Sequence, residues 1–245
     1  MNFVTRVTCL LIGLLNLCAT AAFAQSEEII VSASRLTRSD FVVIPAVNLK
    51  RKADFMVLRT YVISDSRDKA LRIEEVTKTL RAIAKKAAGN KNIELGLIKR
   101  FETDDDEIEY IVPFDPSDID EQFFTHGGRV DTTRTTIVAK TPIKQSDDDP
   151  GAIVARLERF LESVPVTGRA IVSDDGDPNL SVVNPNQYRP LLIDKIAQDN
   201  AQIIDSLGPA YGIEVSGLEQ PVRWQVTGPL ELTLYFSYKS AAIPK

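Results

Sequence analysis

The sequence predicts an α+β fold in which a mostly antiparallel sheet is packed by about three helices. Three stretches carry apolar residues at steps of three and four, the period of an amphipathic helix. Many others alternate apolar and polar residues, the period of a strand with one buried face. Residues 93–114 read as two strands folded back across the acidic turn 102–106, and a hairpin makes its strands antiparallel.

The elements follow in order. Residues 28–34 alternate weakly and read as a first strand. Residues 41–47 form a short apolar run broken by Pro45, suited to an edge strand. Residues 54–64 form a strong strand, and its two largely apolar faces predict a central position. Asp65 and Ser66 are set to cap a helix over 67–88, with Ala70, Ile73, Val76, Leu80, Ile83, Ala84 and Ala87 facing inward and Gly89-Asn90 ending it. After the hairpin, 115–128 reads as a loop and 129–143 as a long Thr-rich strand. Asp149 as cap and Pro150 as first residue open a helix over 150–164, with Ile153, Val154, Leu157, Phe160, Leu161 and Val164 on one face. A strand at 169–173, a turn at Asp175-Gly176 and a connection over 179–187 lead to the third helix, 187–207. Its inner face reads Leu192, Ile193, Ile196, Asn200, Ile203, Ile204 and Leu207, and Gly208-Pro209 stops it. Strands at 213–215, 222–226 and 230–238 close the chain, the last with Leu230, Leu232, Leu234, Phe236 and Tyr238 at every second residue.

The first 24 residues read as an address. Arg6 precedes the apolar run 7–18, and Ala22-Phe23-Ala24 is a small-residue cleavage signal that predicts a mature chain starting at Gln25. The run is too short and interrupted for a spanning helix. Leu17 is not the small residue that a lipidation site at Cys18 would need. The expected location is the periplasm, with secretion or outer-membrane association as alternatives. Residues 25–245 are expected to form one domain with no transmembrane segment.

Both cysteines, Cys9 and Cys18, fall in that leader, so the mature chain has no disulfide, thiolate metal site or cysteine nucleophile. The chain carries 29 basic and 34 acidic residues, net −5, and the basic Arg6 leaves with the leader. That balance argues against nucleic acid as a partner, because phosphate backbones attract clustered Lys and Arg.

Candidate chemistry is sparse. His126, the single histidine, sits in a loop beside Gly127-Gly128 and cannot build a His-rich site alone. Asp115, Asp118, Asp120 and Glu121 gather in the same loop and are the weak candidates for a Ca²⁺ site, but the spacing of a helix–loop–helix calcium loop is absent. Turn and helix-capping roles account for them, and equally for Asp147–Asp149 and for Asp174-Asp175-Gly176-Asp177. No Gly-x-Ser-x-Gly, dinucleotide fingerprint or phosphate loop is present. No catalytic and no cofactor-binding residue is assigned. Trp224, Phe236 and Tyr238 read as strand packing rather than a ligand groove.

Three segments carry a resemblance. Ile29-Ile30-Val31-Ser32-Ala33-Ser34 is similar to an opening strand, residues 135–140 followed by the 154–164 helix to a middle, and 194–207, Gly212-Ile213 and 230–238 to an ending. Together they resemble the SIMPL-domain family of exported bacterial proteins, which includes periplasmic immunogenic proteins. Residues 27–35 also resemble the start of a TonB-dependent receptor plug, but too little chain follows for the transmembrane barrel. The SIMPL resemblance implies a SIMPL-like fold and a non-enzymatic envelope protein that assembles as a homo-oligomer. A Ca²⁺ or small-ligand module using 115–128 is the alternative, and a hydrolase ranks third.

Overall fold

The computed structural model describes residues 28–31, 44–102 and 107–245. Among these residues, twelve strands and three α-helices follow one another as β1 (Glu28–Val31), β2 (Leu49–Lys52), β3 (Phe55–Ser64), α1 (Lys69–Ala88), β4 (Glu94–Glu102), β5 (Glu107–Pro113), β6 (Thr133–Pro142), α2 (Pro150–Glu162), β7 (Ile171–Asp174), β8 (Asn179–Val183), α3 (Arg189–Leu207), β9 (Tyr211–Ser216), β10 (Arg223–Gly228), β11 (Glu231–Tyr235) and β12 (Lys239–Pro244). The class is α+β, and every strand pairing is antiparallel.

β3 is the spine. It pairs with β6 along all ten residues on one side, and with β8 and then β7 on the other. Such a strand is buried on both faces, which is why its sequence is apolar on both. The strand order β6-β4-β5-β1-β8-β3 closes on itself through the β3–β6 pairing, giving a six-stranded barrel with β7 attached outside the ring.

Side chains fill the barrel. Ile30, Val57, Ile111 and Val138 form its middle, with Phe55 and Ile98 against them. A Cβ at Gly96 would stand 2.3 Å from Ile111 Cγ2 and 3.0 Å from Val138 Cγ2, so the packing requires a residue without one. At one end the buried Lys140 ammonium pairs with Glu28 and, at 3.1 Å, with Glu94. It also lies 4.1 Å from the centre of the Phe55 ring. Ser181 Oγ donates to the second oxygen of Glu28 at 2.6 Å. The network links β1, β4, β6 and β8, and a one-residue slip of β1 would strand Glu28 on the wrong face.

α1 and α2 pack on the outside of β3 and β6, where Met56, Leu58, Val62, Ile137 and Ala139 meet Val76, Leu80, Ile83, Ile153 and Leu157. α1 begins at Lys69 rather than 67, because Asp68 takes the cap and accepts from Leu71 N at 2.9 Å. Asp65 and Ser66 serve elsewhere: Asp65 pairs with Arg169, and the Ser66 hydroxyl donates to Glu75. Ala70 is exposed, and the buried face instead includes Arg72, Glu75 and Thr79. α2 opens as expected, with Asp149 accepting from Gly151 N at 2.9 Å and Pro150 in the first turn.

The chain's last third forms a second body of packing. β10-β11-β2 make a three-stranded sheet, and α3 lays Leu192 and Ile196 against Val222, Leu234 and Phe236. β9 and β12 make a separate two-stranded ribbon.

Four further expectations change. The apolar run 41–47 is not a strand over its described part, 44–47, and the edge strand is β2 instead; residues 41–43 lie outside the described residues, as do 32–34 of the first expected strand and 103–106 of the acidic turn. The stretch 179–183, expected as a connection, is β8, a strand between β1 and β3. The final strand stops at Tyr235, and 239–244 form β12 against β9. The third helix starts at Arg189, after a 3₁₀ turn over Pro185–Tyr188, with Ile203 and Leu207 exposed rather than inward. No helix among the described residues is long and apolar enough to cross a membrane.

Candidate functional site

Among the described residues, the barrel wall opens between β4 and β6. β4 and β6 pair over residues 94–96 against 138–140 and then separate. Further along, Thr125 bridges to Arg134, with Thr125 N donating to Arg134 O and Arg134 N to Thr125 O, both at 2.8 Å. Residues 135–137 of β6, between these two pairings, are paired with β3 alone. A groove of about 840 Å³ occupies the gap, lined by Leu97, Lys99, Val112, Phe123, Thr135 and Thr136, with Asp118 and Asp120 on its rim.

The loop that borders this groove contains two 3₁₀ turns, Pro116–Asp118 and Glu121–Phe123. Asp115 Oδ1 accepts from Ser117 N and Asp120 Oδ1 from Gln122 N, each at 2.8 Å. These are caps on short turns, the structural role such residues play in this spacing. The bonds from Ser117 hold the Asp115 carboxyl below its ordinary range. Phe123 packs on Phe114 with ring centres 5.9 Å apart, and Ile119 and Phe124 lean on the main core. The loop is thus anchored by apolar side chains while its carboxylates face solvent.

The structure separates the sequence-predicted residues. Asp118 and Asp120 reach the groove; Asp115 is spent on its turn and does not line it. His126 is exposed past the Thr125 bridge and does not line the groove. Among the described residues no group of three or more His, Cys, Asp or Glu side chains converges as a metal site. Trp224 is half-buried between the two cores and Phe236 is fully buried, so both are packing residues.

A second cluster was not legible in the sequence. At the end of β3, Arg169 makes a two-point contact with Asp65 at 2.6 and 3.0 Å, and Arg129 one with Asp131 at 2.9 and 2.8 Å. Behind them the buried Glu75 accepts from Ser64 Oγ at 2.5 Å and Ser66 Oγ at 2.8 Å. Burial raises the Glu75 pKa, but bonds from the two hydroxyls and from the Arg169 backbone outweigh it and hold the carboxyl below its ordinary value. Gly168, at φ +59°, permits that approach: a Cβ there would stand 2.0 Å from Glu75 Oε1. Both arginines already have carboxylate partners, so the cluster reads as a clamp between the α1 entry and the β7 entry. Comparison with protein-family models, curated proteins and solved structures finds no match.

Proposed function

We propose that the chain is a periplasmic protein of the cell envelope that works by protein–protein contact, associates with itself and carries out no catalysis. One observation carries this. Of the nine large apolar side chains exposed among the described residues, five (Leu191, Ile203, Leu207, Tyr211 and Ile243) lie on α3, β9 and β12. Apolar groups concentrated on one body of a folded chain are the mark of a contact surface. A ribbon of two strands is marginal by itself in water and gains from being covered. The leader ending Ala22-Phe23-Ala24 supports export, and the resemblance to SIMPL-domain proteins supports the envelope and the assembly. Sedimentation of the mature chain across micromolar concentrations tests the reading. A concentration-dependent rise in mass is expected, and a strict monomer would sink it.

The groove between β4 and β6 favours a second reading, a Ca²⁺ or small-ligand module using Asp118 and Asp120. Calorimetric titration with Ca²⁺ tests it against the Asp118→Ala, Asp120→Ala variant. Heat with the parent chain alone would support it; no heat and no thermal shift would remove it.

A further inference from the structure

Resting on the self-association reading, we propose that copies join head to tail, with strand β12 of one copy lying along the β4–β6 seam of the next. The two surfaces match in edge, in face and in charge.

The edge comes first. Lys245 N donates to Ala210 O, so backbone N–H groups alternate from that point. Those of Lys239, Ala241 and Ile243 face β9, while those of Ser240 and Ala242 face outward. Pro244, the third outward position, has no N–H, which limits what β12 can extend to a short interval. The seam offers such an interval: Arg134 turns its backbone groups to Thr125, so among residues 135–137, which pair with β3 alone, Thr136 turns its own toward the gap.

The face follows from the strand period. Lys239, Ala241, Ile243 and Lys245 share one side of β12, and all are exposed. This side has an apolar centre between two ammonium groups. The groove complements it, with Leu97, Val112 and Phe123 inside and the Asp118 and Asp120 carboxylates on the rim, while the exposed Lys99 in the same lining offsets one of those charges. Glu121, exposed on the same loop, adds a third negative charge. Because seam and ribbon are different surfaces of one chain, the contact is heterologous, and it propagates head to tail until the rotation closes a ring or runs on as a filament.

Charge reversal tests the match by sedimentation of the mature chain and its variants. The Lys239→Glu, Lys245→Glu variant and the Asp118→Lys, Asp120→Lys variant should each lose association. An equimolar mixture should regain it, because each reversed strand then meets a reversed seam; that recovery also shows that both variants fold. If the parent chain is monomeric, this proposal and the self-association reading fall together. If the parent associates and any other pattern appears (loss with the strand variant alone, loss with neither, or no recovery on mixing), the seam contact is overturned while self-association stands.

Discussion

The barrel and the C-terminal ribbon solve the same problem in opposite ways. A strand edge exposes backbone donors and acceptors, and the barrel removes its edges by closing β3 on β6. The ribbon keeps its outer edges among the described residues and places a proline on one of them. The difference runs through the side chains too. The barrel interior is filled to the point that Gly96 tolerates no Cβ, and it buries a charged network that fits one register. All six residues of β12 are exposed. One region is committed to a single internal arrangement; the other leaves its side chains to solvent, where the proposed contact would form. Stability should therefore respond to changes in the barrel, and association to changes in the ribbon.

The largest expected effect lies in the barrel network. Lys140→Ala leaves the buried Glu28 carboxylate without its ammonium partner, and breaking a buried pair in this way costs about 3–5 kcal/mol. Urea unfolding should show that loss. Replacing both partners, as in Lys140→Met with Glu28→Leu, should recover most of it, since no uncompensated charge then remains. A loss confined to a few tenths of a kcal/mol would mean that the pair is hydrated and that β1 is held by its backbone pairing.

The Glu75 clamp comes next. Gly168→Ala forces a side chain into left-handed backbone and onto the Glu75 carboxylate, with an expected cost of about 1–3 kcal/mol. The same carboxylate contributes a pH dependence whose sign follows from its lowered pKa. Its contribution is fully present above the unfolded value, about 4.3, and is lost as pH falls through the lower folded value. Acid titration of stability should then fall less steeply for Glu75→Gln than for the parent, from a lower starting stability at neutral pH. At α2, Asp149→Ala removes a cap and should cost about 1 kcal/mol, read in the same urea experiment.

What the sequence made legible follows the same division between local and distant causes. α2 was readable because its signals are local: Asp149, Pro150 and a stripe from Ile153 to Val164. The 93–114 hairpin was readable for the same reason. β8 was not, because Ser181 looks like a loop residue until Glu28, far away in sequence, is seen to accept its hydroxyl inside the barrel. β12 was hidden because Ser240, Ala241 and Ala242 carry no apolar alternation, and its pairing with β9 reaches across β10 and β11. Barrel closure depends on pairings between distant strands, to which local periodicity is blind. The acidic loop is legible from its composition, and the capping by Asp115 and Asp120 agrees with the turn chemistry expected there. The groove beneath it was invisible, since it arises where β4 and β6 part company.

The smallest change in stability should accompany the clearest change in assembly. Leu207 is exposed at the end of α3, and Ile243 is exposed on β12. Neither packs into a core, so Leu207→Ser with Ile243→Ser should shift stability by no more than about 0.5 kcal/mol per site. A chain whose exposed apolar groups served nothing would behave identically in sedimentation after the change. If these side chains are the contact, the double variant loses the concentration-dependent mass of the parent while its urea midpoint stays put. The converse result, an unchanged mass and a lowered midpoint, would place both residues in the fold's own packing. That outcome would erase the distinction between a region built for itself and a region built for a neighbour.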